Sequence, residues 1–158
     1  MKATVKWKDN MVFVGMPDSG FPVQLDSDSN FGGTNSGVRP MEMVALGLAG
    51  CTAMDVLSIL QKKRQKVTGF EVKVNAPRSA DHPQVFTSAV INYVVTGRNV
   101  DEMAVLRSIE LSFTKYCPVQ KMLEGAVPME LQYEIYEDEE GGNRRLTSQG
   151  KWQGVPQE

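Results

Sequence analysis

The sequence is poor in the residues that build metal centres and disulfide frameworks. Its 158 residues include 2 cysteines and 1 histidine, too few for a disulfide framework or for a typical four-ligand zinc site. The net charge of −2 gives no electrostatic reason to expect a nucleic acid or an anionic membrane as a partner. The sequence therefore predicts no metal, no cofactor and no nucleic-acid partner.

A secretion signal and a long uncharged run are also missing. Residues 1–8 alternate in polarity and carry no apolar signal-peptide region, which predicts a cytoplasmic protein. The longest apolar stretch lies between Glu42 and Asp55 and is shorter than the roughly 18 to 20 residues that cross a bilayer. We therefore expect no membrane association.

Residues 39–60 are predicted to form the central helix of the chain. Pro40 suits a first helical turn, and apolar residues then cover nearly every face, which is typical of a helix buried in a core. One thiol, Cys51, lies in the middle of this helix. A Gly-rich loop over 26–38 precedes it and lacks both the ending of a phosphate-binding loop and the spacing of a dinucleotide fingerprint.

The remaining patterns predict an α+β domain in the order β-β-β-α-β-β-α-β, with a polar tail after it. A second helix opens at residues 99–102 with an apolar face, stops near Cys117, and is followed by a short helix at 119–123. The domain covers residues 1–136, and residues 137–158 are predicted to be a C-terminal tail without regular structure. The predicted strands are 3–7, 11–16, 21–25, 70–75, 85–96 and 129–136, and the apolar face comprises Met103, Leu106, Ile109, Leu111 and Phe113.

The two thiols can be read as buried inert cysteines or as a pair that cycles between dithiol and disulfide. Asp55 lies about 40° round the helix from Cys51, and its charge would raise the pKa of that thiol, so the helix alone does not activate Cys51. Cys117 lies near the start of the short helix, where the helix dipole favours a thiolate. Local physics thus predicts that Cys117 is the better-activated thiol, and it leaves open whether Asp55 is catalytic or only a polar cap.

Four motifs together resemble the OsmC and organic hydroperoxide resistance family: Pro40-x-Glu42, the run Leu48–Asp55 with its Ala49-Gly50-Cys51-Thr52, His82-Pro83 before a strand, and Lys115-Tyr116-Cys117-Pro118-Val119. The resemblance covers about residues 1–136. Within the family, the sequence is similar to a less characterised branch. It implies an OsmC-like fold, in which antiparallel sheets wrap around two central helices in an intertwined homodimer. A pocket at each end of the subunit interface is also implied.

The resemblance further implies a thiol peroxidase of oxidative stress defence that reduces organic hydroperoxides. Cys51 matches the cysteine that attacks the peroxide, and Cys117 matches the one that resolves the sulfenic acid as a Cys51–Cys117 disulfide. A dithiol reductant, such as a dithiol protein or a lipoyl group, is expected to recycle it. The family's Glu directly after the helix-opening proline is replaced here by Met41, and no Arg precedes Arg39. Arg39 and Glu42 are therefore the candidates for those two roles.

Two alternatives come from other functional classes. A dimeric small-molecule-binding protein would keep the fold without the chemistry, and a thiol sensor would oxidise once without turnover. Thiolate reactivity at Cys51 discriminates between the peroxidase and the binding protein.

Overall fold

The computed structural model describes residues 1–139 and 141–154, and the chain divides into two units. The first unit runs from Met1 to Leu46 and the second from Gly47 onward. The longest helix, α1 (Pro40–Lys62), begins in the first unit and continues in the second. The α+β class and the predicted order β-β-β-α-β-β-α-β are confirmed.

The first unit contains an antiparallel sheet in the order β1-β2-β3. Its strands are β1 (Ala3–Asp9), β2 (Val12–Pro17) and β3 (Val23–Leu25). Asn10, with a φ of 43°, makes the left-handed turn of the predicted hairpin. β3 is an edge strand and begins after Pro22, since proline has no N–H for a sheet hydrogen bond.

The second unit contains a four-stranded sheet in the order β4-β5-β6-β7. Antiparallel sheets were expected, and this expectation is wrong for one pair, because β5 and β6 run parallel. The helical segments between them provide the long crossover that a parallel connection needs. The strands are β4 (Lys66–Asn75), β5 (Ala89–Arg98), β6 (Met129–Asp138) and β7 (Arg144–Trp152).

Two helices and a π-helical turn connect β5 to β6. Helix α2 (Glu102–Leu111) is capped by the Asp101 side chain, which accepts a hydrogen bond from the backbone N–H of Met103. The turn spans Ser112–Tyr116, and α3 (Pro118–Leu123) follows it. The predicted apolar face of α2 is partly wrong, since Met103 is 68% exposed while Ala104, Val105 and Ser108 are buried.

The prediction of an unstructured tail is wrong at residues 137 and 138, which end β6, and over residues 144–152. Residues 144–152 form β7, which pairs with β6 along most of its length, and the Trp152 ring lies 5.4 Å from the Phe113 ring between centroids. The strand is polar because it lies at the edge of the sheet and is held mainly by backbone hydrogen bonds. Residue 140 and residues 155–158, which the predicted tail also included, lie outside the described residues.

Helix α1 buries only one stripe of its surface. Leu48, Thr52, Val56 and Leu60 recur every four residues and are buried, whereas Met54 is 77% exposed. The expectation that α1 is buried on nearly every face is therefore wrong for the single chain. By length and composition alone α1 could also cross a membrane, with a mean hydropathy of 1.9 in a window that is 22% buried.

Candidate functional site

Both thiols and one carboxyl group meet at a single point of the second unit. The Sγ atoms of Cys51 and Cys117 and a carboxylate oxygen of Asp55 all lie within 4.8 Å of one another. Cys51 and Asp55 are four residues apart on α1, so their side chains share one face of the helix. Cys117 is the N-cap residue of α3. The predicted meeting of the two cysteines is thus present in the fold, together with Asp55.

The two thiols differ in how far they are buried. Cys117 is 2% exposed and Cys51 is half-buried. The backbone N–H of Gln120 donates to Cys117 Sγ at 3.5 Å, as the start of a helix allows. Burial and the neighbouring Cys51 nevertheless raise the pKa of Cys117 to about 12. The prediction that the start of α3 activates Cys117 is therefore wrong, because desolvation of the thiolate outweighs the hydrogen bonds.

The Asp55 carboxyl group lies beside the two thiols and is also half-buried. Burial raises its pKa, and the opposing influence is the Ser112 hydroxyl, whose Oγ donates to Asp55 Oδ2 at 3.3 Å. Within the described part of the second unit, no Lys, Arg or His side chain forms an ion pair with Asp55. The cluster of Cys51, Cys117 and Asp55 thus receives no ion pair from the described residues of this unit.

A buried polar network lies behind these groups. Thr52 Oγ1 lies 2.6 Å from Tyr93 Oη and 2.9 Å from Ser112 Oγ, and Ser112 Oγ lies 3.4 Å from Gln120 Oε1. All four residues are fully buried, and burial raises the pKa of Tyr93 to about 12. Gln120 Nε2 has no hydrogen-bond partner among the residues that the structure describes.

Sequence reasoning missed this network. Its members come from α1, β5, the turn after α2, and α3, so no local spacing in the sequence indicates that they lie together. The only sequence signal is that Thr52, Ser112 and Gln120 interrupt segments that are otherwise apolar or amphipathic. The hydroxyl group of Thr52 finds its partners 41 and 60 residues away in the chain, which a local pattern does not encode.

A cavity of about 290 Å³ adjoins Asp55. Its walls combine the apolar surfaces of Ile59 and Leu111 with the polar groups of Ser58, Lys62 and Tyr116. A cavity of this size and mixed lining accepts a small organic molecule with a polar end. Among the described residues, Asp55 is the member of the thiol cluster that lines this cavity.

Arg39 and Glu42 lie in the first unit and are paired with each other. The backbone N–H of Arg39 donates to Glu42 Oε2 at 3.0 Å, which is a capping interaction at the start of α1. The Arg39 guanidinium also donates to Asn35 Oδ1 at 2.5 Å and to Asp28 Oδ2 at 3.2 Å. The assignment of these two residues to the catalytic site stays a prediction. His82 is exposed on a loop and is not part of the thiol cluster.

Comparison with known proteins gives a consistent family match. The family described as OsmC-like protein matches residues 33–132. Protein YhfA of Escherichia coli K12 is 42% identical over 135 residues, which is 85% of this chain and 98% of that protein. The crystal structure of a hypothetical protein from Aquifex aeolicus VF5 is similar, with a TM-score of 0.77 and 25% identity over 87% of this chain and 97% of the other.

One solved structure with lower sequence identity to this chain is named for organic hydroperoxide resistance. The organic hydroperoxide resistance protein OsmC from Legionella pneumophila matches with a TM-score of 0.61 and 13% identity, over 85% of this chain and 94% of that one. At this identity the likeness shows a shared fold. The resemblance read from the four sequence motifs is thus supported over most of the chain.

Proposed function

The chain belongs to the OsmC-like protein family, and on that basis we propose that it is a thiol-dependent hydroperoxide reductase in which Cys51 reacts and Cys117 resolves. Membership in the family supports a redox or hydroperoxide resistance role. The observation that carries the proposal is the proximity of the two sulfur atoms, within 4.8 Å, with Cys51 half-buried and Cys117 nearly inaccessible. A peroxide from solvent therefore reaches Cys51 first.

The proposed reaction consumes one hydroperoxide for each pair of thiols. The Cys51 thiolate attacks the outer peroxide oxygen, the O–O bond breaks, and the alkoxide takes up a proton and leaves as an alcohol. Cys51 is then a sulfenic acid. The Cys117 sulfur attacks the Cys51 sulfur, and the hydroxyl leaves as water while the disulfide forms. Exchange with a dithiol, such as a dithiol protein or a lipoyl group, returns both thiols.

The cavity beside Asp55 supports a small organic hydroperoxide as the substrate. The apolar side chains of Ile59 and Leu111 offer contact to a hydrocarbon group, while Ser58 and Lys62 offer polar contacts at the same opening. Hydrogen peroxide would use only the polar part of this lining. We therefore expect faster oxidation by an organic hydroperoxide than by hydrogen peroxide at equal concentration.

We propose that the active form is a cytoplasmic homodimer. Helix α1 is strongly apolar, yet only 22% of its most apolar window is buried in the single chain. Apolar surfaces of this kind are usually covered in a functional assembly, and the family resemblance implies that a second copy covers this one. A reducing compartment would keep the two thiols available for the reaction.

A thiol sensor that oxidises without turnover is the second candidate. The raised pKa of Cys117 favours it, because a resolving thiol that is rarely ionised attacks slowly. A sensor and a peroxidase share the first oxidation and differ only in recycling by a dithiol. Repeated consumption of hydroperoxide in the presence of dihydrolipoamide supports the peroxidase, and a single equivalent consumed supports the sensor.

The experiment that tests the proposal is intact mass spectrometry with thiol counting after one equivalent of cumene hydroperoxide. The expected product is a protein that has lost two hydrogen atoms and both free thiols. The Cys117→Ser variant should instead gain one oxygen atom as a persistent sulfenic acid, because no resolving thiol remains. The Cys51→Ser variant is the matched control and should stay unchanged. Unchanged mass and two free thiols in the parent protein would contradict the proposal.

A further inference from the structure

The two sulfur atoms and the Asp55 carboxylate present a set of donors that the hydroperoxide reaction does not explain. Three potential anions lie within 4.8 Å of one another, and within the described second unit no cationic side chain is paired with Asp55. Lys62 lines the adjoining cavity but lies two helical turns along α1 from Asp55. A divalent cation bound here would displace the thiol protons and compensate the charge of the resulting thiolates and of the carboxylate.

We propose that the reduced protein binds a divalent cation of the zinc type through Cys51 Sγ, Cys117 Sγ and Asp55. Two thiolates and one carboxylate are ligands that zinc prefers, and three protein ligands leave a fourth tetrahedral position open to water. This site goes beyond the proposed peroxidase activity and does not depend on it. The sequence prediction of no metal is based on the small number of cysteine and histidine residues and does not include Asp55 as a ligand.

The geometry needs only a small contraction to form such a site. Zinc–sulfur bonds of about 2.3 Å in a tetrahedron place two sulfur atoms about 3.8 Å apart, whereas the three donor atoms here lie within 4.8 Å of one another. Cys51 and Asp55 are spaced i, i+4 on one helix, the spacing that places two ligands on one helical face.

Partners that orient the ligands are already in place. Ser112 Oγ donates to Asp55 Oδ2 at 3.3 Å, and the backbone N–H of Gln120 donates to Cys117 Sγ at 3.5 Å. Such outer contacts hold ligands in position in natural metal sites. Asp55 also lines the adjoining cavity, so an ion can approach this ligand from that side.

Binding at this site depends on the redox state of the cysteine pair. Oxidation of the two metal-bound thiolates by a hydroperoxide, with uptake of two protons, gives the disulfide, an alcohol and water, and releases the cation. The disulfide has no thiolate left to hold the metal. The cation and the disulfide therefore exclude each other at this position.

The test is a titration of the fully reduced protein with Co²⁺, followed by displacement with Zn²⁺. We expect a thiolate-to-cobalt charge-transfer band with the visible bands of a tetrahedral site, both of which one equivalent of Zn²⁺ removes. Protein oxidised with diamide, without any peroxide, should show neither band. Because no hydroperoxide is used, a protein that fails as a peroxidase can still pass this test.

Variants separate a built site from simple thiol binding. Asp55→Asn should weaken Co²⁺ binding by at least about tenfold, and Cys117→Ser should remove most of the charge-transfer intensity. Asp81→Asn, which makes the same chemical change at an exposed carboxylate outside the cluster, is the matched control and should bind as the parent does. Circular dichroism checks that each variant is folded. The proposal is overturned if reduced protein gives no charge-transfer band, or if folded Asp55→Asn binds Co²⁺ as tightly as the parent.

Discussion

The hydroxyl groups of Thr52 and Tyr93 lie 2.6 Å apart in the buried interior of the second unit, with Ser112 Oγ 2.9 Å from the same threonine oxygen. Thr52 follows Cys51 directly on α1, so the network holds the helix at the residue next to the Cys51 thiol. A buried hydroxyl that loses its partners retains the cost of its desolvation. The network therefore stabilises the fold at a position adjacent to Cys51.

Replacing Thr52 by valine tests the stabilising part of this relationship. Valine keeps the shape but leaves the Tyr93 and Ser112 hydroxyls without this partner, and we expect the free energy of unfolding to fall by about 1 to 3 kcal/mol. Urea denaturation followed by fluorescence measures it. Tyr93→Phe removes one hydroxyl and leaves Thr52 bonded to Ser112, so its effect should be smaller. If Thr52→Val unfolds at the same urea concentration as the parent, the network contributes nothing to stability.

The unequal burial of the two cysteines predicts an order of alkylation. With iodoacetamide at pH 8, the native protein should be modified at Cys51 well before Cys117, because Cys117 is 2% exposed and its pKa is raised to about 12. Little of its thiolate exists at that pH. Peptide mass mapping at successive times gives the order. In 8 M urea both thiols should react at similar rates, since their ordinary pKa of about 8.5 is restored. Faster modification of Cys117 in the native state would contradict the assigned roles.

The hydrogen bonds of Asp26 allow a prediction of how the stability of the first unit depends on pH. This residue is 3% exposed and accepts hydrogen bonds from Ser36 N at 2.9 Å, Thr34 Oγ1 at 2.7 Å and Ser27 N at 2.7 Å, among others. These bonds, that of the Ser36 N–H first, hold the pKa of Asp26 well below its unfolded value of 3.8. The stabilisation is present above that unfolded value and is lost as the pH falls through the lower folded value.

The corresponding measurement compares the parent protein with Asp26→Asn in urea denaturation between pH 7 and pH 2. Asparagine cannot ionise, and its amide group places a donor where only acceptors fit. We expect the parent to be more stable at pH 7 and its advantage to shrink towards pH 2. An advantage that stays constant over this range would show that the charge of Asp26 is not what matters. The Asp18→Asn variant, at an exposed carboxylate, serves as the control.

Amphipathic patterns predicted most elements of the fold, and they failed where stability comes from other sources. The alternation of residues 129–136 indicated β6 correctly, since this strand buries one face. Residues 144–152 carry mostly polar side chains, and they become β7 through backbone pairing to β6 and through the contact of Trp152 with Phe113. An edge strand needs no apolar alternation, so its sequence resembles a tail.

The sequence predicted only the part of the candidate site that depends on spacing along one helix. Helical spacing placed Asp55 on the face of Cys51, as the structure has it. The burial of Cys117, which reverses the expected effect of the helix start on its pKa, depends on how α3 packs within the second unit. Local spacing carries the first kind of information and not the second, because desolvation is a property of the assembled core.

The exposed side of α1 leads to a prediction about assembly. Met54 is 77% exposed on an apolar helix, so Met54→Glu should leave the folded chain intact while it introduces a charge into any surface that packs on this helix. We expect the parent to be a dimer by size-exclusion chromatography with light scattering and Met54→Glu to dissociate at micromolar concentration, because a charge buried without a partner is costly. Met103→Glu, at a 68% exposed methionine on α2, should remain dimeric. A parent protein that is monomeric at all concentrations would leave α1 uncovered by a second copy and would contradict the proposed homodimer.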